Sequence, residues 1–283
     1  MKRTIILILP LAILILVACT EDSPVSPESD LVVVRGYIYA GEPVNDIQLT
    51  NTLPLGSEET KAPPINDANV ALMKNGQQYD LVLSEGDSGY YKYEGTDLTV
   101  KAGDQFTIQV SYQDQHISGT TNVPEAPKNI TISSTTLLFP DMETMWQLMQ
   151  QGVNIDSIRK SMTLTVSWEQ ASDALYYVLV ENVEENPVAI ETNFGPGPGF
   201  GAGPNRFISQ PIAASEYTVN AMIMTHLGKH RVKVYRVNQE YADLYQSRNQ
   251  DSRDLNEPLT NIVNGLGVFS AFNSDSAFFN LQQ

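Results

Sequence analysis

Met162-Thr163-Leu164-Thr165-Val166-Ser167-Trp168, followed after a short turn by Ala174-Leu175-Tyr176-Tyr177-Val178-Leu179-Val180, is the stretch that decides the fold. Met162, Leu164, Val166 and Trp168 alternate with Thr163, Thr165 and Ser167. That period of two puts the apolar set on one face of a strand, because successive strand side chains point to opposite faces. The second segment, rich in aromatic and β-branched residues, reads as the next strand. Trp168 is expected in a core and not on a ligand platform. Upstream, residues 130–133 form a candidate first strand. Downstream, 217–223 and 231–237 read as a hairpin around Leu227-Gly228-Lys229, and 269–279 supplies the closing strand or strands.

The first half of the chain has the same character. Residues 31–39 are a β-branched and aromatic run, and short strands follow at 47–49, 68–73, 78–83, 90–93, 106–112 and 116–121. Asn75-Gly76 is a hairpin signal, and Gly86-Asp87-Ser88-Gly89 and Lys101-Ala102-Gly103-Asp104 are further turns. The long connection at 51–66, with Glu58 and Glu59, reads as a mobile surface loop or a contact loop. Val123-Pro124-Glu125-Ala126-Pro127 is a stiff boundary that restricts the orientation of the two halves. The fold class is therefore all-β: two tandem β-sandwiches, residues 31–124 and 125–283.

Two segments interrupt the second sandwich. Near 141–152, Asp141 is a good N-cap and Gly152 a stop, and Met142, Met145, Trp146 and Met149 fall on one helical face. That face either packs on the sandwich or offers a soft surface to a partner, since methionine repacks easily. A second helix is expected over 239–247, with Asn238 as cap and Tyr241, Leu244 and Tyr245 inward.

Several of these features resemble known modules. Ser167-Trp168 and Tyr176-Tyr177-Val178 resemble strands B and C of a fibronectin type III domain, and the first half resembles Ig-like, carboxypeptidase-regulatory-like modules, which are structural. Val34-Arg35-Gly36-Tyr37, Glu42-Pro43-Val44, Ala68-Asn69-Val70, Gly89-Tyr90-Tyr91, Thr120-Thr121-Asn122-Val123-Pro124 and the 241–245 helix go together with Asn261-Ile262-Val263-Asn264-Gly265-Leu266-Gly267-Val268-Phe269. Together they resemble the Bacteroidota lipoproteins grouped as domain of unknown function four-two-four-nine. The resemblance spans nearly the whole chain after residue 19. It implies an accessory role beside a TonB-dependent outer-membrane transporter and carries no catalytic residues.

The first thirty residues read as an address. Lys2 and Arg3 precede an apolar run at 5–17, the length of a signal-peptide core and short for a membrane span. Leu16-Val17-Ala18-Cys19 resembles a lipobox, so 1–18 is expected to be a lipoprotein signal peptide and Cys19 to carry lipid. Several acyl chains on one residue give stable anchoring at the outer membrane. Glu21 and Asp22 resemble a surface-export signal, which places the protein on the cell surface. Residues 19–30 form a polar, proline-broken tether.

Composition narrows the chemistry. The 283 residues carry 33 acids against 17 Lys and Arg, a net charge of −16, and loss of the leader removes two bases and no acid. Such a surface repels phosphate backbones and anionic lipid headgroups, so no nucleic-acid partner is expected. One cysteine excludes a disulfide framework and a zinc site of several thiolates. His226 and His230 are four apart but flank Gly228 in strand-like sequence, and with His116 they read as surface histidines. No Gly-x-Ser-x-Gly elbow occurs, and Glu58-Glu59 and Glu184-Glu185 read as solvated acids. Neither 85–88 nor 249–254 has the acid spacing of an EF-hand loop. No metal and no cofactor are expected.

Contacts are expected from loops. The run Phe194-Gly-Pro-Gly-Pro-Gly-Phe200-Gly-Ala-Gly-Pro204 lacks the Lys-Ser/Thr of a phosphate loop, and it and Phe207 offer aromatic anchors. With Met142, Met145, Trp146 and Met149 these are the candidate partner or ligand contacts. The reading is a non-enzymatic outer-membrane lipoprotein that captures substrate for, or gates, a TonB-dependent transporter. The alternative is a free-standing adhesin or glycan-binding module.

Overall fold

The computed structural model describes residues 31–53, 57–140, 142–190, 206–247 and 259–283. The strands in chain order are β1 (Val32–Tyr39), β2 (Asp46–Asn51), β3 (Asn69–Lys74), β4 (Gln77–Leu83), β5 (Tyr90–Lys92), β6 (Gln105–Tyr112), β7 (Gln115–Asn122), β8 (Lys128–Ile132) and β9 (Thr136–Leu138). Helices α1 (Met142–Gln150) and α2 (Ile155–Ser161) come next, then β10 (Thr163–Glu169), β11 (Leu175–Asn182), β12 (Val188–Ala189), β13 (Arg206–Ile208), β14 (Glu216–Asn220) and β15 (His226–Val237). Helix α3 (Gln239–Ser247), β16 (Ile262–Val263) and β17 (Leu266–Gln282) close the chain. The protein is all-β with a few short helices.

In the first sandwich β1, β2, β5 and β4 form one sheet and β4, β3, β6, β7 and β16 the other. Strand β1 buries every second residue, Val32, Val34, Gly36 and Ile38, as its alternation dictates. The Asn75-Gly76 hairpin forms, with both residues at positive φ (52° and 80°), the geometry of a type I′ turn. The 51–66 connection is less loose than its sequence suggests. Pro64 bridges Thr50, Ile65 is in the core, and the Asn66 Oδ1 accepts the Gly89 amide at 2.9 Å.

In the second sandwich β14, β10 and β8 face β13, β11, β15 and β17. Leu164, Val166 and Trp168 point inward from β10, and Trp168 packs on Tyr176 with ring centroids 5.4 Å apart. The expected hairpin of 217–223 with 231–237 does not form. β14 pairs with β10, while β15 lies between β11 and β17 in the opposite sheet. Gly228, the supposed turn, sits inside β15 at φ +100°, where a Cβ would lie 2.8 Å from the Glu184 carboxylate.

Strand β17 crosses from one sandwich to the other. Residues 266–272 pair in parallel with β1, and 273–281 pair antiparallel with β15. Ile262, Phe269 and Ala271 therefore belong to the core of the first sandwich, although they follow the second in sequence. A clasp holds them there. The Asn261 side chain exchanges hydrogen bonds with the Phe269 backbone at 2.7 and 3.0 Å, and Asn264 donates to the His116 carbonyl at 3.0 Å. Gly267 lies at φ +100°, with its Cβ position 2.0 Å from the Val34 carbonyl oxygen, so only glycine fits.

The two sandwiches also meet through an aromatic cluster. Phe272 stacks on Tyr39 at 5.1 Å and meets Tyr37, Tyr177, Tyr235 and Tyr241 at 4.9–6.5 Å, mostly edge to face. Each such pair adds about 0.5–1.5 kcal/mol beyond the area it buries. Helix α3, found at the expected residues, lies over this junction. Its Glu240 accepts from the Thr121 hydroxyl at 2.7 Å, and Asn238 donates to Thr121 and to the Asn122 carbonyl. The orientation of the sandwiches is thus set by strand continuity and packed rings as well as by the prolines at 124 and 127.

Candidate functional site

Helices α1 and α2 cap the end of the second sandwich where β9, β10, β14 and β17 terminate or begin. Asn154 caps α2, its Oδ1 accepting the Asp156 amide at 2.9 Å, and Arg159 and Lys160 fall in the last turn, where cations favour the helix dipole. Gly152 stops α1 at φ +78°. Neither helix buries a full apolar stripe. Ile158 is buried, but Trp146 and Ile155 are 58% and 57% exposed, and Met149, Met222 and Ile223 are exposed beside them. Apolar residues left uncovered together in this way make this end the candidate site.

Between these elements lies a groove of about 350 Å³. Its walls are Met145, Met149, Ile155, Ile158, Met162 and Met222, and its polar groups are Asn220 and Arg159. Methionine side chains are flexible and polarizable and repack around varied apolar shapes. Asn220 commits its Oδ1 to the Met222 amide at 2.9 Å, and Arg159 faces Asp156 at 3.6 Å in an exposed pair. The groove is at the pole of the molecule opposite the start of β1. β17 runs from the beginning of β1 to β9, and its extended chain spans roughly 50 Å at the usual rise per residue.

The junction between the sandwiches has the opposite character. Burial pushes the Tyr39 and Tyr177 hydroxyls far above the usual phenol value, with Asp46 adding to it at Tyr39 and the Tyr39 ring at Tyr177. Burial would lower the Lys233 ammonium, but hydrogen bonds to Glu42 (3.0 Å) and Tyr235 (3.2 Å) hold it above the ordinary lysine value. These groups keep one protonation state through the physiological range. The junction is a packed joint, with Tyr177, Tyr235, Val237 and Phe272 buried together.

The sequence-derived contacts divide clearly. Met145 and Met149 line the groove, Trp146 stands beside it on α1, and Met142 opens the same helix. On the α1 face Trp146 and Met149 are exposed and Met145 is half-buried. Phe207, expected as an exposed anchor, instead packs against the second core and stacks on Tyr217 at 6.1 Å. It sits on β13, whose pairing with β11 turns this residue toward the sandwich interior. Cys19, Glu21, Asp22, Asp141, Phe194, Phe200 and residues 249–254 lie outside the described residues. The sequence reading missed α2, which supplies Ile155, Ile158 and Arg159. The Asn154 cap and the basic last turn were its visible signals.

His230 is not the surface residue its polar surroundings suggest. It is 2% exposed, because it shares the inward face of β15 with Val232 and Val234. Its Nδ1 lies 2.9 Å from the Gly228 carbonyl and its ring stacks on Phe279 at 5.2 Å. Burial lowers its pKa from the ordinary histidine value, against the hydrogen bond to Gly228. His116 is exposed, as expected, 3.1 Å from the Ser111 hydroxyl. Among the described residues, no three His, Cys, Asp or Glu side chains come together in a metal-binding group.

Domain of unknown function (DUF4249) matches residues 20–277. The chain belongs to this family. It is the group to which the sequence features already pointed, and the match takes in both sandwiches, the joint and the groove. No curated protein matches the chain. Among solved structures, domains A168-A170 of titin align with 89% of this chain and 67% of that one, at 8% identity and a TM-score of 0.21. At that score the likeness carries no argument.

Proposed function

We propose that this DUF4249 member is a non-enzymatic binding protein, held at the outer membrane by lipid on Cys19 and presenting its methionine groove to capture a ligand for a TonB-dependent transporter. The observation that carries this reading is the placement of its two ends. The only cysteine of the chain closes an apolar leader, and residues 20–30 join it to β1. The groove lies at the far pole, roughly 50 Å along β17. The packed joint between the sandwiches fixes the groove relative to β1. A tether of eleven residues extends to about 36–40 Å at most, which favours a groove held away from the point of attachment.

The test is to pull the tagged, lipidated protein from gently solubilised outer membranes and identify what accompanies it by mass spectrometry. Recovery of a TonB-dependent transporter in stoichiometric amount is expected. A lone lipoprotein, with transporters present in the extract and unbound, contradicts the reading. Substitution Cys19→Ser is expected to release the protein from the membrane fraction, and retention there would contradict the anchor.

A further inference from the structure

We propose that the groove binds an unbranched amphiphile: an apolar chain lying against the methionines, with a carboxylate or similar anionic head on Arg159. The proposal names the ligand class for the capture role above and rests on that reading. The volume, about 350 Å³, is at the lower end of the range for small-molecule sites. Six of the eight lining residues are apolar, and four of those are methionine, which suits a flexible hydrocarbon better than a rigid polar ring.

The polar lining of the groove has a definite sign. The Asn220 carbonyl oxygen is committed to the Met222 amide, so that side chain turns its amide donors to any further partner. Arg159 is a cation and donates only. Its ion pair with Asp156 is long, at 3.6 Å, and the two side chains are 72% and 82% exposed, so the pair is worth little and exchanges readily. A guanidinium in this setting fits a carboxylate or phosphate through paired hydrogen bonds. A chain with a net charge of −16 thus sets a guanidinium, loosely paired with Asp156, in the wall of an apolar groove.

The test uses the chain from residue 20 onward. Among the described residues every buried core residue lies between Val32 and Leu281, so that chain retains the described core. Dodecanoate and dodecanol are titrated by calorimetry below the concentrations at which they self-associate. One saturable site for dodecanoate is expected, with dodecanol weaker by roughly tenfold. Arg159→Gln is expected to erase that difference, and Met149→Glu to abolish dodecanoate binding with the melting temperature unchanged. Absence of saturable binding by either chain, equal affinity for acid and alcohol, or a preference that survives Arg159→Gln would each overturn the proposal. Binding of an amphipathic helical peptide without binding of dodecanoate would overturn it in favour of a polypeptide occupant. Failure here with a transporter still co-purifying refutes the ligand class alone. Dodecanoate binding with no transporter co-purifying leaves the ligand class standing and removes the capture role.

Discussion

The joint between the sandwiches and the groove at the far pole are built from the same kind of material, large apolar side chains, and use it in opposite ways. At the joint, Phe272 is 1% exposed and locked among tyrosines from both sandwiches and from α3. At the pole, methionine, isoleucine and tryptophan lie on two short helices that leave them open. Rings with few rotamers make a joint that holds its geometry. Methionines with several rotatable bonds make a surface that adapts. The difference suits the joint to stability and, under the function proposed above, the pole to recognition.

The largest effect is expected at the joint. Phe272→Ala removes a ring shared by both sandwiches and should cost about 3–5 kcal/mol in denaturant unfolding. A loss under 1 kcal/mol would mean the sandwiches are held by β17 alone. Next is the clasp. Gly267→Ala places a methyl group against the Val34 carbonyl in a left-handed backbone and should cost about 2–4 kcal/mol. Wild-type stability would mean that β1 and β17 separate without consequence.

A smaller effect is expected with pH. The folded pKa of His230 is depressed by burial, so the unfolded chain takes up a proton first as pH falls. Stability is then fully present above the ordinary histidine value of 6.5 and is lost as pH falls from there toward the lowered folded value. The slope for one group is at most about 1.4 kcal/mol per pH unit. His230→Phe should flatten the curve over that window, and an unchanged slope would show that His230 titrates normally. The smallest effect is at the pole. Trp146→Ala should alter stability by no more than about 0.5 kcal/mol, since the ring is exposed. A loss above 2 kcal/mol would show that the pole is core and would end its claim to be a binding face.

Much of the frame was legible in the sequence because local rules decide it. The alternation in β10, the Asn75-Gly76 turn and the α3 helix each follow from neighbours a few residues apart. What escaped depends on distant pairing. Nothing local tells 216–220 to pair with β10 in preference to β15, nor 266–272 to run parallel to β1 across more than two hundred residues. The run from Asn261 to Phe269 stood out as distinctive, yet its reason, a clasp that admits glycine only beside Val34, is visible only in three dimensions. The site was half legible. The spacing of Met145 and Met149 on one helical face marked one wall of the groove. The opposite wall comes from α2 and from Met162, Asn220 and Met222, which only the folded chain brings together.

Hydrogen exchange of the backbone amides, read strand by strand, tests the central claim most directly. The rigid frame with a soft pole predicts that residues 266–272 and 273–281 of β17 exchange with the same opening free energy, equal to that of global unfolding, while α1 and α2 exchange through much smaller openings. Two distinct opening energies for the halves of β17, or protection of α1 equal to that of β17, would contradict it.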